Sequence, residues 1–212
     1  MKKYAIAAAL LVAACATKPP PAPPPVSQPQ AKMTPRSHPH DVAPRPEKPE
    51  SPPPPYAIQG PLTRELAGAY MDGQEAELRQ RLRGSGVQIF RLGDTIDVIM
   101  PLSFLFDDRL QGVSWDGSGA LSAIASVVQE YDRTAIQIGG YTDTTGSAQS
   151  NQRVSDSRAK IVADVLARDG VPPGRISARG YGETHLLVPT GDNVNQPRNR
   201  RVEIRIVPKI DA

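Results

Sequence analysis

Cysteine is nearly absent: the 212 residues hold one, Cys15, so no intrachain disulfide can form. Histidine is almost as scarce, with three residues. His38 and His40 sit in a proline-rich run that offers no fold to hold a metal ligand in place. His185 is then the one histidine left for acid–base work. It reads as a loop residue, and Ser155 and Ser157 have no plausible base. No HExxH-like pair exists. These shortages argue against an enzyme, with no cofactor and no metal expected. Charge of one sign is also lacking. The formal net charge is +3, and two of those charges are Lys2 and Lys3. No Lys/Arg run with interleaved aromatics occurs, so no nucleic-acid partner is expected. No apolar run approaches the roughly 20 residues that a membrane helix needs.

Proline is plentiful, and its placement divides the chain. Sixteen prolines fall between Pro19 and Pro55. Before them stand Lys2 and Lys3, an apolar stretch from Tyr4 to Ala14, and Cys15, in the order of a secretory signal. "LVAAC" resembles the bacterial lipobox. That resemblance implies a signal peptide over 1–14 and a lipidated Cys15 as the first mature residue. The alternative is a plain signal peptide and a leftover thiol. Acyl chains would anchor the protein firmly, at about 0.8 kcal/mol per buried methylene. No aspartate follows Cys15, which by the familiar sorting rule favours the outer membrane, with the domain facing the periplasm. Residues 15–55 cannot build a core and read as a disordered tether of polyproline II character.

The remainder alternates helices and strands. Residues 61–83 read as a helix marked by Leu62, Leu66, Tyr70, Leu78 and Leu82, part of a helical lead over 56–86. Val87 to Met100 alternates about Gly93-Asp94, a hairpin pattern. Helices are expected over 118–131 and 147–168, and strands over 135–141, 175–178 and 201–207. This predicts an α+β fold: a mixed sheet of about four strands with helices packed on it, preceded by the hairpin and helical lead.

One residue breaks the pattern. At 100° per residue, Val154, Ile161, Val162, Val165 and Leu166 of the 147–168 helix share an arc of about 140°. Arg153, Asp156, Lys160, Asp164 and Arg168 lie opposite. Arg158 falls in the middle of the apolar stripe, with Asn151 on the same side nearer the helix start. A guanidinium stays charged in proteins, so one turned inward needs a counter-charge. Asp143, in the loop feeding this helix, is the candidate neighbour. Two readings stand. Asp143 and Arg158 form an internal salt bridge, or both face a cleft that takes a zwitterion, ammonium on the acid and carboxylate on the arginine. Backbone N–H groups at Ser147 and Ala148 would favour an anion as well.

"GYTDTTGS", "VSDSRAKIVADVLARDGV", "RISARGYGE" and "NRRVEIRI" strongly resemble the OmpA-like peptidoglycan-binding domain, from about Val87 to the C-terminus. "YMDGQEAELRQRLRGSGV" extends the likeness toward the YiaD-type lipoproteins of that family. The resemblance implies that Asp143 and Arg158 hold the zwitterionic end of meso-diaminopimelate in the peptidoglycan stem peptide. It places Thr142 and Asn151 in the same pocket, and Arg200 near the cell-wall peptide. Two stretches depart from the family. "FDDRLQG" places Asp107 and Asp108 where relatives differ, either as rim contacts or as solvated charges. "HLLVPTGDNVNQPRNRR" has Asn195 at about the position of a common glycine, where asparagine tolerates a left-handed backbone. The expected function is an envelope protein tethered to the cell wall. A cell-wall enzyme and a scaffold for envelope proteins are the alternatives, the latter served by the 61–83 helix unless that helix simply covers the sheet.

Overall fold

The computed structural model describes residues 60–107 and 112–210. Cys15, the signal and tether, His38, His40 and Asp108 lie outside them. The first helix, α1, spans Arg64–Arg81. A hairpin follows, β1 (Gln88–Leu92) and β2 (Thr95–Pro101). Its two-residue loop has Gly93 at φ 56°, a conformation that suits glycine at the first position of a tight hairpin turn. A short turn of helix, α2 (Leu102–Leu105), leads toward α3 (Trp115–Glu130). Then come β3 (Thr134–Tyr141), α4 (Ala148–Arg168), β4 (Ile176–Gly180) and β5 (Arg201–Pro208).

The strands form one sheet in the order β1-β2-β5-β3-β4. All neighbours are antiparallel except β3 and β4, which run parallel. That pair needs a crossover connection, and α4 supplies it. The mixed α+β architecture is as expected. The strand count is five because the hairpin is part of the sheet. β2 pairs with β5 from Ile96↔Ile206 to Pro101↔Arg201.

Alternation builds the core. Ile96, Val98, Met100, Ile136, Ile138, Val202, Ile204 and Ile206 are all buried. They join Met71 and Leu78 of α1, Leu121, Ile124 and Val128 of α3, and Val162 and Leu166 of α4 in one cluster. Each such side chain contributes about 1.5–3 kcal/mol on burial. Some intervening strand residues are charged and paired across strands: Arg205 meets Asp97 at 2.7 Å and 3.0 Å.

The rotation of α4 differs from the expected one. Its buried residues are Asn151, Ser155, Ala159, Val162, Val165 and Leu166, while Val154 is 37% exposed. The buried face is turned by about 50° from the stripe that aliphatic side chains alone define. The cause lies beneath the helix. A Cβ at Gly140 would stand 2.2 Å from the Ser155 carbonyl oxygen, and one at Gly180 would stand 2.3 Å from the Asp156 nitrogen. Two glycines on adjacent parallel strands admit the helix backbone, and small residues fill the contact. Arg158 is therefore on the flank of the buried face and half-buried, not in its middle. Asp156, expected on the solvated side, accepts from Gly180 N–H at 2.7 Å. Gly180→Ala should force the helix off the sheet and destabilise the domain by about 1–3 kcal/mol, measurable as a lower urea midpoint.

Candidate functional site

The loop after β3 carries the site. Thr142 N–H donates to the Gly182 carbonyl at 2.9 Å, which ties the exit of β3 to the exit of β4. Ser147 caps α4 by accepting from Ser150 N–H at 3.2 Å. Between these fixed ends, Asn151 gathers the loop. Its amide nitrogen lies 3.2 Å from the Asp143 carbonyl, 3.1 Å from the Thr145 carbonyl and 2.5 Å from Glu183 Oε2. Thr144 ties down the far side, donating to the Gly191 carbonyl and accepting from Val194 N–H.

Asp143 sits at the centre with its side chain 3% exposed. Its Oδ1 accepts from Thr145 N–H at 3.3 Å and from the Thr145 hydroxyl at 2.5 Å. Its Oδ2 accepts from Gln196 N–H at 3.2 Å and from Arg200 Nη1 at 2.6 Å. A carboxylate offers about four acceptor positions, so all are in use. Burial pushes the Asp143 carboxyl up, but the Thr145 hydroxyl and Arg200, with the two backbone donors, outweigh it. The group is held below the usual carboxylate range.

The direct partner of Asp143 is thus Arg200, which also bonds to Asn195 Oδ1. Arg158 makes no hydrogen bond or ion pair among the described residues. It feels Asp143 and Arg200 only through space. Burial first, then the positive charge of Arg200, push its pKa below the usual guanidinium value, with Asp143 opposing. The salt-bridge reading for Asp143 and Arg158 is corrected accordingly: the acid is neutralised by a different arginine. Asp143 and the two arginines share the site, with Glu183 nearby on the Asn151 amide. The Thr142 hydroxyl, buried in the same loop, also finds no partner among the described residues.

The opposite face of the sheet explains why Arg200 points inward. Successive strand residues face opposite ways. Arg201 turns to the other side, 3.9 Å from the centre of the Tyr141 ring. It donates to Glu203 at 2.7 Å and to the His185 carbonyl at 3.0 Å. Tyr141 stacks on Tyr181, and the His185 ring packs edge-on to both. His185 is thus part of a packed aromatic cluster.

Asn193, at φ 55°, takes the left-handed conformation expected of Asn195; Asn195 instead uses its side chain on Arg200. Asp107 closes its loop through its backbone N–H to the Gly112 carbonyl at 3.0 Å. The sequence reading missed Thr145, Glu183 and Gln196. Gln196 contributes a backbone donor, which no side-chain pattern reveals. Among the described residues no cluster of histidine, cysteine, aspartate or glutamate could hold a metal ion, and no helix is long and apolar enough to cross a membrane.

Residues 105–200, which hold the glycine-floored crossover helix and this loop, match the OmpA family. The chain is 40% identical over 141 residues to a protein named Probable lipoprotein YiaD from Escherichia coli (strain K12), covering 66% of this chain and 64% of that one. It is 32% identical over 109 residues to Outer-membrane lipoprotein YfiB from Pseudomonas aeruginosa, covering 51% and 64%. The matches thus span less than two thirds of these relatives. A MotB-like protein from Desulfovibrio vulgaris shares the fold, with TM-score 0.59 and 24% identity over 68% of this chain and 94% of that one. A structure titled the cell wall anchor of the T6SS from Pseudomonas aeruginosa aligns with TM-score 0.54 and 25% identity, over 63% and 99%.

The depressed Asp143 carboxyl sets a pH dependence. A group whose pKa falls on folding adds stability above its unfolded value, about 3.9 for aspartate, and that stability is lost as pH drops through the folded value. Asp143→Asn should be less stable than the parent at pH 7. The gap in unfolding free energy should close as the pH falls below about 4, as followed by urea titration across pH.

Proposed function

We propose that this protein is an outer-membrane lipoprotein that grips peptidoglycan non-covalently through the meso-diaminopimelate of the stem peptide. It would join envelope to cell wall across its proline tether, with the domain in the periplasm. The observation that carries this is Arg158: a half-buried cation with no direct partner among the described residues, near a buried acid. An unpaired, partly desolvated guanidinium is costly, and a ligand carboxylate would complete it, with two parallel hydrogen bonds available. The names of the relatives, two lipoproteins and a cell wall anchor, support the same reading.

The geometry also supports a way for a zwitterion to enter. Asp143 has no acceptor position to spare. Of its four donors, two are backbone groups and one is the neighbouring Thr145 hydroxyl. Arg200 is the exchangeable one, because its side chain is 32% exposed. The ligand ammonium would replace Arg200 Nη1 on Oδ2. Arg200, set free, would stay close to Arg158 and add its charge to the attraction for carboxylate. The unpartnered Thr142 hydroxyl offers one more polar contact, and Asn151 keeps the loop in register.

Arg158→Ala should leave the domain folded and weaken co-sedimentation with purified sacculi by about tenfold or more, the worth of a charge-assisted hydrogen bond. Arg158→Lys should not restore it, since an ammonium lacks the planar fork. Free meso-diaminopimelate should compete, and lysine-type sacculi should bind less well. Normal pelleting of Arg158→Ala would move the site elsewhere. For the anchor, Cys15→Ser should release the protein from the membrane fraction into the soluble periplasm. Continued membrane fractionation would count against lipidation.

A further inference from the structure

We propose that Trp115 and the hollow beside it form a second binding site, for a pyranose ring of a neutral or weakly charged amino-sugar strand. This rests on the reading that the protein meets the cell wall, but it uses none of the atoms around Asp143.

Trp115 is the sole tryptophan, and it is 91% exposed. Its side chain is bare while its backbone is pinned. The preceding Ser114 hydroxyl donates to the Phe104 carbonyl at 2.6 Å and accepts from Gly117 N–H at 2.9 Å. Ser114 N–H donates to the Leu105 carbonyl at 3.0 Å. Gly117 lets the first turn of α3 lie against α2, since a Cβ there would stand 2.5 Å from the Leu105 carbonyl oxygen. The indole therefore projects from a fixed base. A large aromatic held rigidly in water gains nothing for the fold, because it buries almost no area.

Next to it is a concavity of about 390 Å³ lined by Gly84, Ser85, Phe104, Trp115, Asp116 and Gly119. That falls within the size of ordinary small-ligand sites. Gly84 and Gly119 have open space where a side chain would be. The Asp116 carboxylate makes no hydrogen bond or ion pair among the described residues. An open aromatic face beside a free carboxylate and a hydroxyl matches a sugar: the apolar C–H face packs on the ring, and adjacent hydroxyls donate to the carboxylate. Other occupants fit less well. The lining has no lysine or arginine and one negative charge, so an anionic lipid surface would be repelled. A protein partner would want a contiguous apolar patch around the tryptophan. The other large exposed apolar side chains, such as Phe90, Leu92 and Leu187, do not line this hollow.

The test uses the full-length protein in detergent and glycan strands of alternating N-acetylglucosamine and N-acetylmuramic acid, stripped of stem peptides, with the lactyl carboxylates that stripping exposes converted to amides so that the strand is neutral. Titration should give a saturable change in tryptophan fluorescence, which reports Trp115 alone. Trp115→Ala should weaken retention on immobilised stripped strands by about tenfold or more, as for a central aromatic anchor, with an unchanged melting temperature. Asp116→Asn should weaken it less. Arg158→Ala should bind stripped strands normally. If stripped strands leave the fluorescence unchanged while intact sacculi still bind through Arg158, this inference fails alone. If stripped strands bind through Trp115 but Arg158→Ala still holds intact sacculi, the stem-peptide reading fails and the glycan site stands. A fluorescence response to anionic vesicles in place of glycan would also overturn it.

Discussion

The close seating of α4 on β3 and β4 governs the molecule. Gly140 and Gly180 bring the helix backbone to a distance that no Cβ would permit. Ser155, at the contact, is fully buried yet satisfied: its hydroxyl donates to the Gln152 carbonyl and accepts from Gly182 N–H. This contact sets the rotation of α4, and everything at the site follows from that rotation. It turns Asn151 under the Thr142–Thr145 loop, where one amide holds two carbonyls. It also leaves Arg158 on the flank, close enough to feel Asp143 yet without a bond to it.

The electrostatics leave Arg158 without full compensation among the described residues. A buried acid and a single arginine could have closed the account, with a second arginine kept away. Instead Arg158 is held within the field of Arg200, which raises the cost of its charge while Asp143 opposes that effect. A partly buried cation with no bonded anion among the described residues is a strain on the free protein. On the proposed reading, a group with both an ammonium and a carboxylate would relieve it in two places at once. The same arrangement would then discriminate. A ligand with only a carboxylate would gain the arginines but not displace Arg200 from Asp143, and one with only an ammonium would have to break that pair without compensation.

Much of this was legible residue by residue. The hairpin about Gly93-Asp94, the alternation of "RVEIRIV" and the long helper stripe of α4 emerge from period-two and 3.6-residue patterns. Asp143 and Arg158 stood out because a lone acid in a loop and a lone arginine off the charged face are chemically conspicuous. The rotation of α4 was not legible, since a hydrophobic pattern weights large aliphatic residues, whereas this contact is made by serine, alanine and glycine. The pairing of Asp143 with Arg200 was hidden too. The two are 57 positions apart, and nothing local links them. Trp115 carried no pattern at all; only its exposure makes it notable.

The sequence by itself determined the element types, the α+β class and the cast of charged residues, because those depend on side-chain period and on chemistry that each residue carries alone. Tertiary structure decided which arginine neutralises the acid and which is left waiting. That choice rests on a helix rotation of about 50° set by backbone contact between distant glycines and α4. Periodicity cannot register such a contact, because it counts the side chains that are present, and this packing depends on two that are missing.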